Sequence, residues 1–152
     1  MKQELNTTTS FNTPKELSIS LLALRLGIGI VFIMWGLDKI LAPEHTIKVF
    51  QGFYGISISE SFSVGLGLIQ MAFLLAFLSG VKKNITYLGI LIFHSMSTFG
   101  TFSKYLDPLN NLIFFAAWPM LAACLALYLL REYDTLLTFK TNKQSLPLAN
   151  QV

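Results

Sequence analysis

Cysteine and histidine are scarce in this sequence, and their scarcity excludes several kinds of redox chemistry. Cys124 is the only cysteine among 152 residues, so the sequence offers neither an internal disulfide nor a Cys-x-x-Cys exchange pair. Its apolar neighbours indicate a small buried side chain. The two histidines, His45 and His94, belong to no ligand cluster of familiar spacing. We therefore expect no bound metal, no haem-ligand pair and no iron–sulfur cluster.

Charged residues are also few, at 12% of the chain against 53% hydrophobic residues. The net charge of +3 comes from Lys and Arg in loops and tails, where basic residues normally set membrane topology. Because no basic cluster with interleaved aromatics is present, nucleic acid is not an expected partner. The expected partner is the lipid bilayer.

Four apolar runs, each about 18 to 19 residues long, determine the fold class. At a rise of roughly 1.5 Å per residue, each run just covers a hydrocarbon core of about 30 Å. The sequence therefore predicts an all-α polytopic membrane protein, an antiparallel bundle of four transmembrane helices within 16–138. The predicted spans are 19–40, 61–79, 85–103 and 111–131. Tails 1–15 and 139–152 are polar and predicted to be disordered.

The positions of the basic residues predict the orientation. Seven Lys and Arg residues lie in the two tails and the loop between spans two and three, and three lie on the other face. This bias favours both termini in the cytoplasm, in a multi-pass protein of the inner (plasma) membrane. About 18 mostly polar residues precede the first span, which argues against a cleaved signal peptide.

The long first external loop, 42–60, has a helical pattern of its own. It opens at Pro43, and Ile47, Phe50 and Tyr54 follow at helical spacing. We expect a short amphipathic helix lying at the membrane interface. A plain aromatic linker is the alternative.

Span one carries one narrow polar and small-residue stripe, formed by Arg25, Gly29, Phe32, Gly36 and Lys39. Aligned glycines let a neighbouring helix approach closely, so Gly29, Phe32 and Gly36 are predicted to be packing residues. Cations inside a membrane turn toward the bundle interior or extend to an interface. Arg25 and Lys39 are therefore candidate ligand-binding residues.

The spacing Arg25-x3-Gly29-x2-Phe32-x3-Gly36-x2-Lys39 resembles the first-helix signature of the DoxX family of small four-span membrane proteins. The resemblance extends over about residues 19 to 132 in span number and loop lengths. It implies a left-handed four-helix bundle. It also implies association with membrane redox systems, since relatives serve as the membrane subunit of a thiosulfate:quinone oxidoreductase.

Two interpretations of Arg25 remain open. In one, its side chain reaches lipid phosphate and has no further role. In the other it faces inward, where its guanidinium suits a quinone oxygen, a carboxylate or a lipid phosphate. Glu132 and Asp134, just after span four on the same side, are possible partners.

Span three is polar along one face, where Tyr87, His94, Ser97, Thr98 and Thr101 align. His94 is the best candidate for catalysis, because the proton equilibrium of histidine lies near neutral pH, and Thr98 is placed to orient it. The alternative is a neutral histidine bonded across helices, with hydroxyls bonding their own i−4 carbonyls.

Gln70, His94 and Trp118 fall at similar depths in three spans and predict a polar layer near the membrane midplane. Pro119 in span four should leave a backbone carbonyl for this layer. A further hypothesis is a pocket on the external side closed by Phe50, Phe53 and Tyr54. The predicted ligand-binding residues are Arg25, Lys39, Gln70, His94, Thr98 and Trp118.

Three functions are compatible with these features. The first is an auxiliary subunit of a membrane redox system that faces quinone or lipid; such a chain has no covalently bound cofactor and is not an enzyme on its own. The second is a factor that binds and assembles other membrane proteins. The third, less favoured, is a small-molecule carrier. Expected partners are other membrane or redox proteins or further copies of the chain.

Overall fold

A computed structural model describes residues 14–139, and within that range the chain is helical, with no strand. The two tails predicted to be disordered lie almost wholly outside the described residues, although Lys15 already begins the first helix. The elements are α1 (Lys15–Leu41), α2 (Pro43–Tyr54), α3 (Glu60–Leu78), α4 (Lys83–Gly100), α5 (Phe102–Tyr105), a 3₁₀ turn (Leu112–Ala116) and α6 (Ala117–Leu129).

Three helical segments in the described range are long and apolar enough to cross a membrane: α1, α3 and the combined segment Leu112–Leu129. Their outer surfaces are apolar, as lipid contact requires; Ile30, Ile69 and Leu129 are 62%, 69% and 62% exposed. Helix α4 has 18 residues but does not reach the same apolar character, because it carries the polar face predicted around His94. The protein is therefore a helical membrane protein.

Local sequence signals explain where α2 begins and ends. Helix α1 ends at Leu41. Pro43 occupies the first position of α2, where the N–H that proline lacks would have no partner within the helix. Gly55 ends α2 with φ of 67°, a left-handed conformation that glycine adopts without strain. Helix α2 is thus a separate twelve-residue element lying against α1 and α3.

Helices α1 and α3 approach closely through glycines on both. A Cβ atom at Gly29 would overlap Cδ2 of Leu78, and one at Gly36 would lie 2.7 Å from Sδ of Met71. At Gly67 a Cβ would meet the backbone oxygen of Gly36 at 3.0 Å. The glycine stripe of α1 therefore lies in the α1–α3 contact.

Side chains of α3 also bond the backbone of α1 along this contact. Gln70 Nε2 donates to the carbonyl of Phe32 at 2.8 Å, and Ser63 Oγ donates to that of Lys39 at 3.0 Å. The core between the helices is apolar and aromatic; its buried members are Leu21, Ile28, Phe32, Leu74, Phe77, Tyr87, Ile90, Cys124 and Leu127.

Pro119 differs from its expected role. The preceding residues form the 3₁₀ turn, so Pro119 is the third residue of α6 rather than a mid-helix residue. The change from 3₁₀ to α-helical hydrogen bonding thus takes place within three residues of Pro119, which has no N–H to donate.

After α6 the chain folds back over the end of the molecule that carries Arg25. Residues 131–139 run alongside the α3–α4 turn, and the N–H of Phe139 donates to the carbonyl of Ser79 at 3.0 Å. Gly80 in that turn has φ of 66°, and a Cβ there would lie 2.6 Å from Cγ2 of Thr138. Glycine is thus required at position 80 by both conformation and space.

Candidate functional site

A pocket of about 620 Å³ opens at the end of α1 that carries Lys39, bounded by α1, α2, α3 and α4. This volume falls within the range of roughly 300–1,000 Å³ typical of small-molecule sites. The three aromatic residues expected to close a pocket, Phe50, Phe53 and Tyr54, all line it. The main aromatic lining is Phe32, Trp35, Phe50, Phe53, Tyr54 and Phe93.

Lys39 and Gln70 supply polar groups to this largely aromatic pocket. The ammonium of Lys39 is partly buried and donates to the carbonyl of Trp35, at 3.1 Å. Within residues 14–139, Lys39 forms no ion pair. Gln70 uses one amide hydrogen on the carbonyl of Phe32, and its side chain is fixed in place by that bond.

Asp38 and His45 form a pair at the rim of the pocket. His45 Nδ1 lies 2.9 Å from both carboxylate oxygens of Asp38, across the break between α1 and α2. The His45 side chain is 63% exposed and that of Asp38 is 35% exposed. The carboxylate nearest to Lys39 in sequence therefore has a different hydrogen-bond partner.

Helix α2 lies across the pocket through its aromatic face. Phe50 and Tyr54 pack with ring centroids 5.6 Å apart, and Phe53 meets Phe114 at 6.2 Å. The Tyr54 ring lies directly on the backbone of α4, where a Cβ at Gly100 would be 2.7 Å from Cε1. Burial raises the pKa of the Tyr54 phenol above its ordinary value, since the phenolate is less well solvated there.

His94 lies behind the pocket rather than in its lining. It is 2% exposed, its ring stacks on Trp35 at a centroid distance of 5.9 Å, and Phe32 meets it at 6.5 Å. Nε2 lies 3.0 Å from the carbonyl of Ala117 on α6, so Nε2 carries the hydrogen and donates. Nδ1 has no partner among the described residues.

The hydroxyls on the polar face of α4 bond carbonyls of their own helix, as in the alternative in which this face has no catalytic role. Thr98 Oγ1 donates to the carbonyl of His94 at 2.8 Å, and Ser95 and Thr101 bond carbonyls one turn earlier in the same way. Thr98 does not orient the His94 ring. Ser97 and Thr101 nevertheless reach the pocket from this face.

Trp118 is not among the pocket residues. It is 41% exposed and packs on Tyr105 and Phe99 at centroid distances of 5.5 and 6.0 Å. Gln70 bonds the Phe32 carbonyl and His94 meets the Phe32 ring, whereas Trp118 belongs to a separate aromatic cluster. The predicted midplane layer is therefore not a single contacting group in this structure.

Arg25 lies in a different polar network, at the opposite end of α1. Its side chain is fully buried, and Nη1 lies 3.3 Å from Oδ2 of Asp134, which is equally buried. The phenol of Tyr87 donates to the same carboxylate oxygen at 2.6 Å. Arg25 Nη2 donates to the carbonyls of Leu136 and Leu137. We call these five residues the arginine network.

The arginine network selects between the possibilities for Arg25. Of the two expected carboxylates, Asp134 forms the ion pair, whereas Glu132 lies 3.8 Å from Arg131. Arg25 is turned inward with 0% of its surface exposed, so it does not reach toward lipid phosphate. Fourteen residues of α1, about 21 Å at a rise of roughly 1.5 Å, separate Arg25 from Lys39, so Arg25 does not share the pocket.

The sequence does not predict several of the residues that line the pocket. Phe93, Met96 and Phe114 line the pocket because of how α4 and the 3₁₀ turn face α2, which a single sequence does not specify. The Asp38–His45 pair had a usable signal: an acid and a histidine that flank Pro43, a residue marking a helix break. Within residues 14–139, no group of three or more His, Cys, Asp or Glu residues gathers in a metal-binding arrangement.

No protein-family model matches the chain, and neither a curated protein nor a solved structure matches it.

Proposed function

We propose that the chain crosses the inner membrane four times, as an antiparallel bundle of α1, α3, α4 and the segment Leu112–Leu129, with both termini in the cytoplasm. Helix α2 lies at the external membrane interface. The three apolar segments support this arrangement, as does α4, which packs against α6 and joins α3 through a short turn containing Lys82 and Lys83. The polar face of α4 is compatible with a span because its hydroxyls are bonded within the helix.

We propose that this protein is an auxiliary subunit of a membrane redox system, with a quinone or lipid held in the pocket beneath α2. The pocket carries this proposal: its walls are aromatic, and Lys39 and Gln70 provide donors for a carbonyl or anionic group. The DoxX-like signature, Arg25 to Lys39, ends at this same pocket. The bilayer supplies apolar molecules to such a site directly.

The chain acts with a partner protein rather than alone. The pocket residues position a ligand, but they include no nucleophile–base pair of the kind that covalent catalysis uses. In this proposal another subunit supplies the electrons, and the pocket holds the acceptor or a structural lipid close to it.

A cavity-filling variant tests the proposal. Ser97→Phe places a ring in the pocket, whereas Ser103→Phe changes an exposed residue of α5 outside it. Organic extracts of full-length protein purified in mild detergent are compared by mass spectrometry. A quinone or lipid retained by wild type and Ser103→Phe but lost by Ser97→Phe supports the proposal, together with slower quinone-linked electron transfer in membranes carrying Ser97→Phe. No ligand in any sample, or equal ligand in all three, contradicts it.

A second candidate function, binding and assembly of other membrane proteins, has one observation in its favour. A shallow apolar groove between α1 and α6 is lined by small residues, including Ser20, Ala23 and Gly27, which allow a helix to approach closely. Crosslinking from position 27 that captures one specific membrane protein, in a sample without bound small molecule, favours this function over the first.

A further inference from the structure

We infer that the pocket beneath α2 binds amphiphiles with a single acidic head group, with the acid at Lys39 and the apolar body against the aromatic walls. This inference rests on the proposed pocket, takes the lipid rather than the quinone as its ligand, and specifies the charge of that lipid. The acid is a carboxylate or a phosphate, since a free fatty acid and a single-chain phospholipid present the same anionic chemistry on the same kind of tail.

The charge balance around Lys39 points to an anion. An ammonium has three donors, and the described structure uses one, on the carbonyl of Trp35. Asp38, the adjacent carboxylate, is bonded through both oxygens to His45. A partly buried ammonium without a carboxylate partner has lost part of its hydration, and an incoming acid would offset that loss with charge-assisted hydrogen bonds.

The position of Lys39 in α1 keeps its charge available. Lys39 lies in the last turn of the helix, where the partial negative charge of the helix end stabilises a cation. Among the described residues, no carboxylate lies within ion-pair distance of the ammonium, and the neighbouring Asp38 carboxylate is bonded to His45. A ligand acid does not have to displace an existing ion pair to reach it.

The remaining lining fits one apolar body. Six aromatic side chains from α1, α2 and α4 line the wall, and Gln70 lies at the α3 side with its amide bonded to the Phe32 carbonyl. Phe93 and Met96 line the pocket yet are 47% and 60% exposed, so the cavity is open along α4. A tail longer than the pocket can therefore continue outward along the surface of α4.

Tryptophan fluorescence gives a direct test, because the chain has two tryptophans and only Trp35 lines the pocket. The variant Trp118→Phe leaves Trp35 as the reporter, and Trp35→Phe leaves Trp118 as the control outside the pocket. Full-length protein in neutral lipid nanodiscs is titrated with a bromine-labelled fatty acid, its methyl ester, and a bromine-labelled single-chain phosphate lipid. Bromine quenches tryptophan only at close range.

We expect the acids to quench Trp35 with affinities about tenfold tighter than the ester, the effect of one charge-assisted hydrogen bond. Trp118 should be quenched weakly and equally by all three. Lys39→Met should remove the preference for acid, and Lys39→Arg should retain it. Lys48→Met, an exposed change on α2, removes one positive charge outside the pocket and should leave the preference intact.

The outcomes separate this inference from the proposed function. Equal quenching of Trp35 by acid and ester, or an acid preference that survives Lys39→Met, overturns the acidic head group while the pocket proposal stands. Quenching of Trp35 no stronger than that of Trp118 by any probe contradicts both. A preference for one acid over the other identifies the source as fatty acid or phosphate lipid.

Discussion

The guanidinium of Arg25 and the carboxylate of Asp134 lie 3.3 Å apart with neither side chain exposed, although 109 positions separate them in the chain. Arg25 belongs to α1, and Asp134 belongs to the segment that returns after α6. Their ion pair joins the first helix of the chain to that returning segment. The phenol of Tyr87 on α4 completes the connection.

Removing Asp134 should strongly destabilise the protein. Asp134→Ala leaves Arg25 buried without its counter-charge, and such changes cost about 3–5 kcal/mol. Glu132→Ala is the matched control on the same segment, because Glu132 is 69% exposed; it should change stability by less than about 0.5 kcal/mol. The stability of both variants is measured by heating the protein in detergent and quantifying the folded fraction by size-exclusion chromatography.

The double variant Arg25→Leu/Asp134→Leu sharpens this prediction. Replacing both charges with apolar groups removes the unpaired charge, so the double variant should be more stable than Asp134→Ala. A double variant as unstable as Asp134→Ala would show that the hydrogen bonds of Arg25 to Leu136 and Leu137, rather than the ion pair, dominate.

Two glycines of α3 should respond oppositely to alanine. At Gly67 a Cβ would meet the backbone oxygen of Gly36 and Cβ of Lys39 at 3.0 Å, so Gly67→Ala should cost about 1–3 kcal/mol by overpacking. At Gly65 nothing lies within 4 Å, so Gly65→Ala should be neutral or stabilising through its better helix propensity. Unfolding of the two variants in the same detergent makes the comparison, and equal stabilities would contradict the close α1–α3 contact.

Docking of α2 should weaken in strong alkali through Tyr54. Its pKa in the folded protein is raised above the ordinary value of 10.0, so the folded state holds this proton more tightly than the unfolded state does. The corresponding stability is fully present below pH 10.0 and is lost as the pH rises through the folded pKa. The near-ultraviolet absorbance of wild type minus Tyr54→Phe isolates this group among five tyrosines. Ionisation at or below pH 10.0 would contradict the buried position.

His94 should matter to packing more than to ligand binding. His94→Phe removes the donor to the Ala117 carbonyl and should cost about 0.5–1.5 kcal/mol of stability. Because Trp35 and Phe32 lie between His94 and the pocket, the Trp35 quenching titration should be unchanged within about twofold. A tenfold weaker affinity in this variant would restore His94 as a ligand-binding residue.

The sequence predicts the helical membrane class well, because runs of about 18 apolar residues have few alternatives. For Arg25 it leaves two alternatives, lipid phosphate or an inward position, and names both Glu132 and Asp134 as possible partners; the structure selects the inward position and Asp134. It cannot show that residues 131–139 fold back over α3 and α4, since that path depends on tertiary contacts such as the Phe139–Ser79 hydrogen bond. Sequence patterns predict structure among neighbouring residues, whereas this hydrogen bond joins two segments that are far apart in the chain.

Trp118 illustrates why the candidate site was only partly predictable. The sequence places Trp118 at the depth of Gln70 and His94, but whether the three side chains face one another depends on the rotation of each helix about its axis. The 3₁₀ turn Leu112–Ala116 has about 3.0 residues per turn instead of 3.6, so side-chain directions change where α6 begins. The depth of a residue along the membrane can be counted from the sequence. The direction in which its side chain points around the helix axis cannot be extrapolated from a 3₁₀ turn into the α-helix that follows.

The two ends of α1 are held by different kinds of force. The arginine network is directional, and its geometry is lost as a unit when one member moves. At the α2 end, ring-on-ring contacts are joined by the Asp38–His45 pair, which is exposed to solvent at the rim and is therefore weaker than a buried ion pair. Local opening should therefore begin at α2, while the arginine network at the opposite end of α1 stays intact. In such an opening α2 moves away from the pocket and α1 keeps its position.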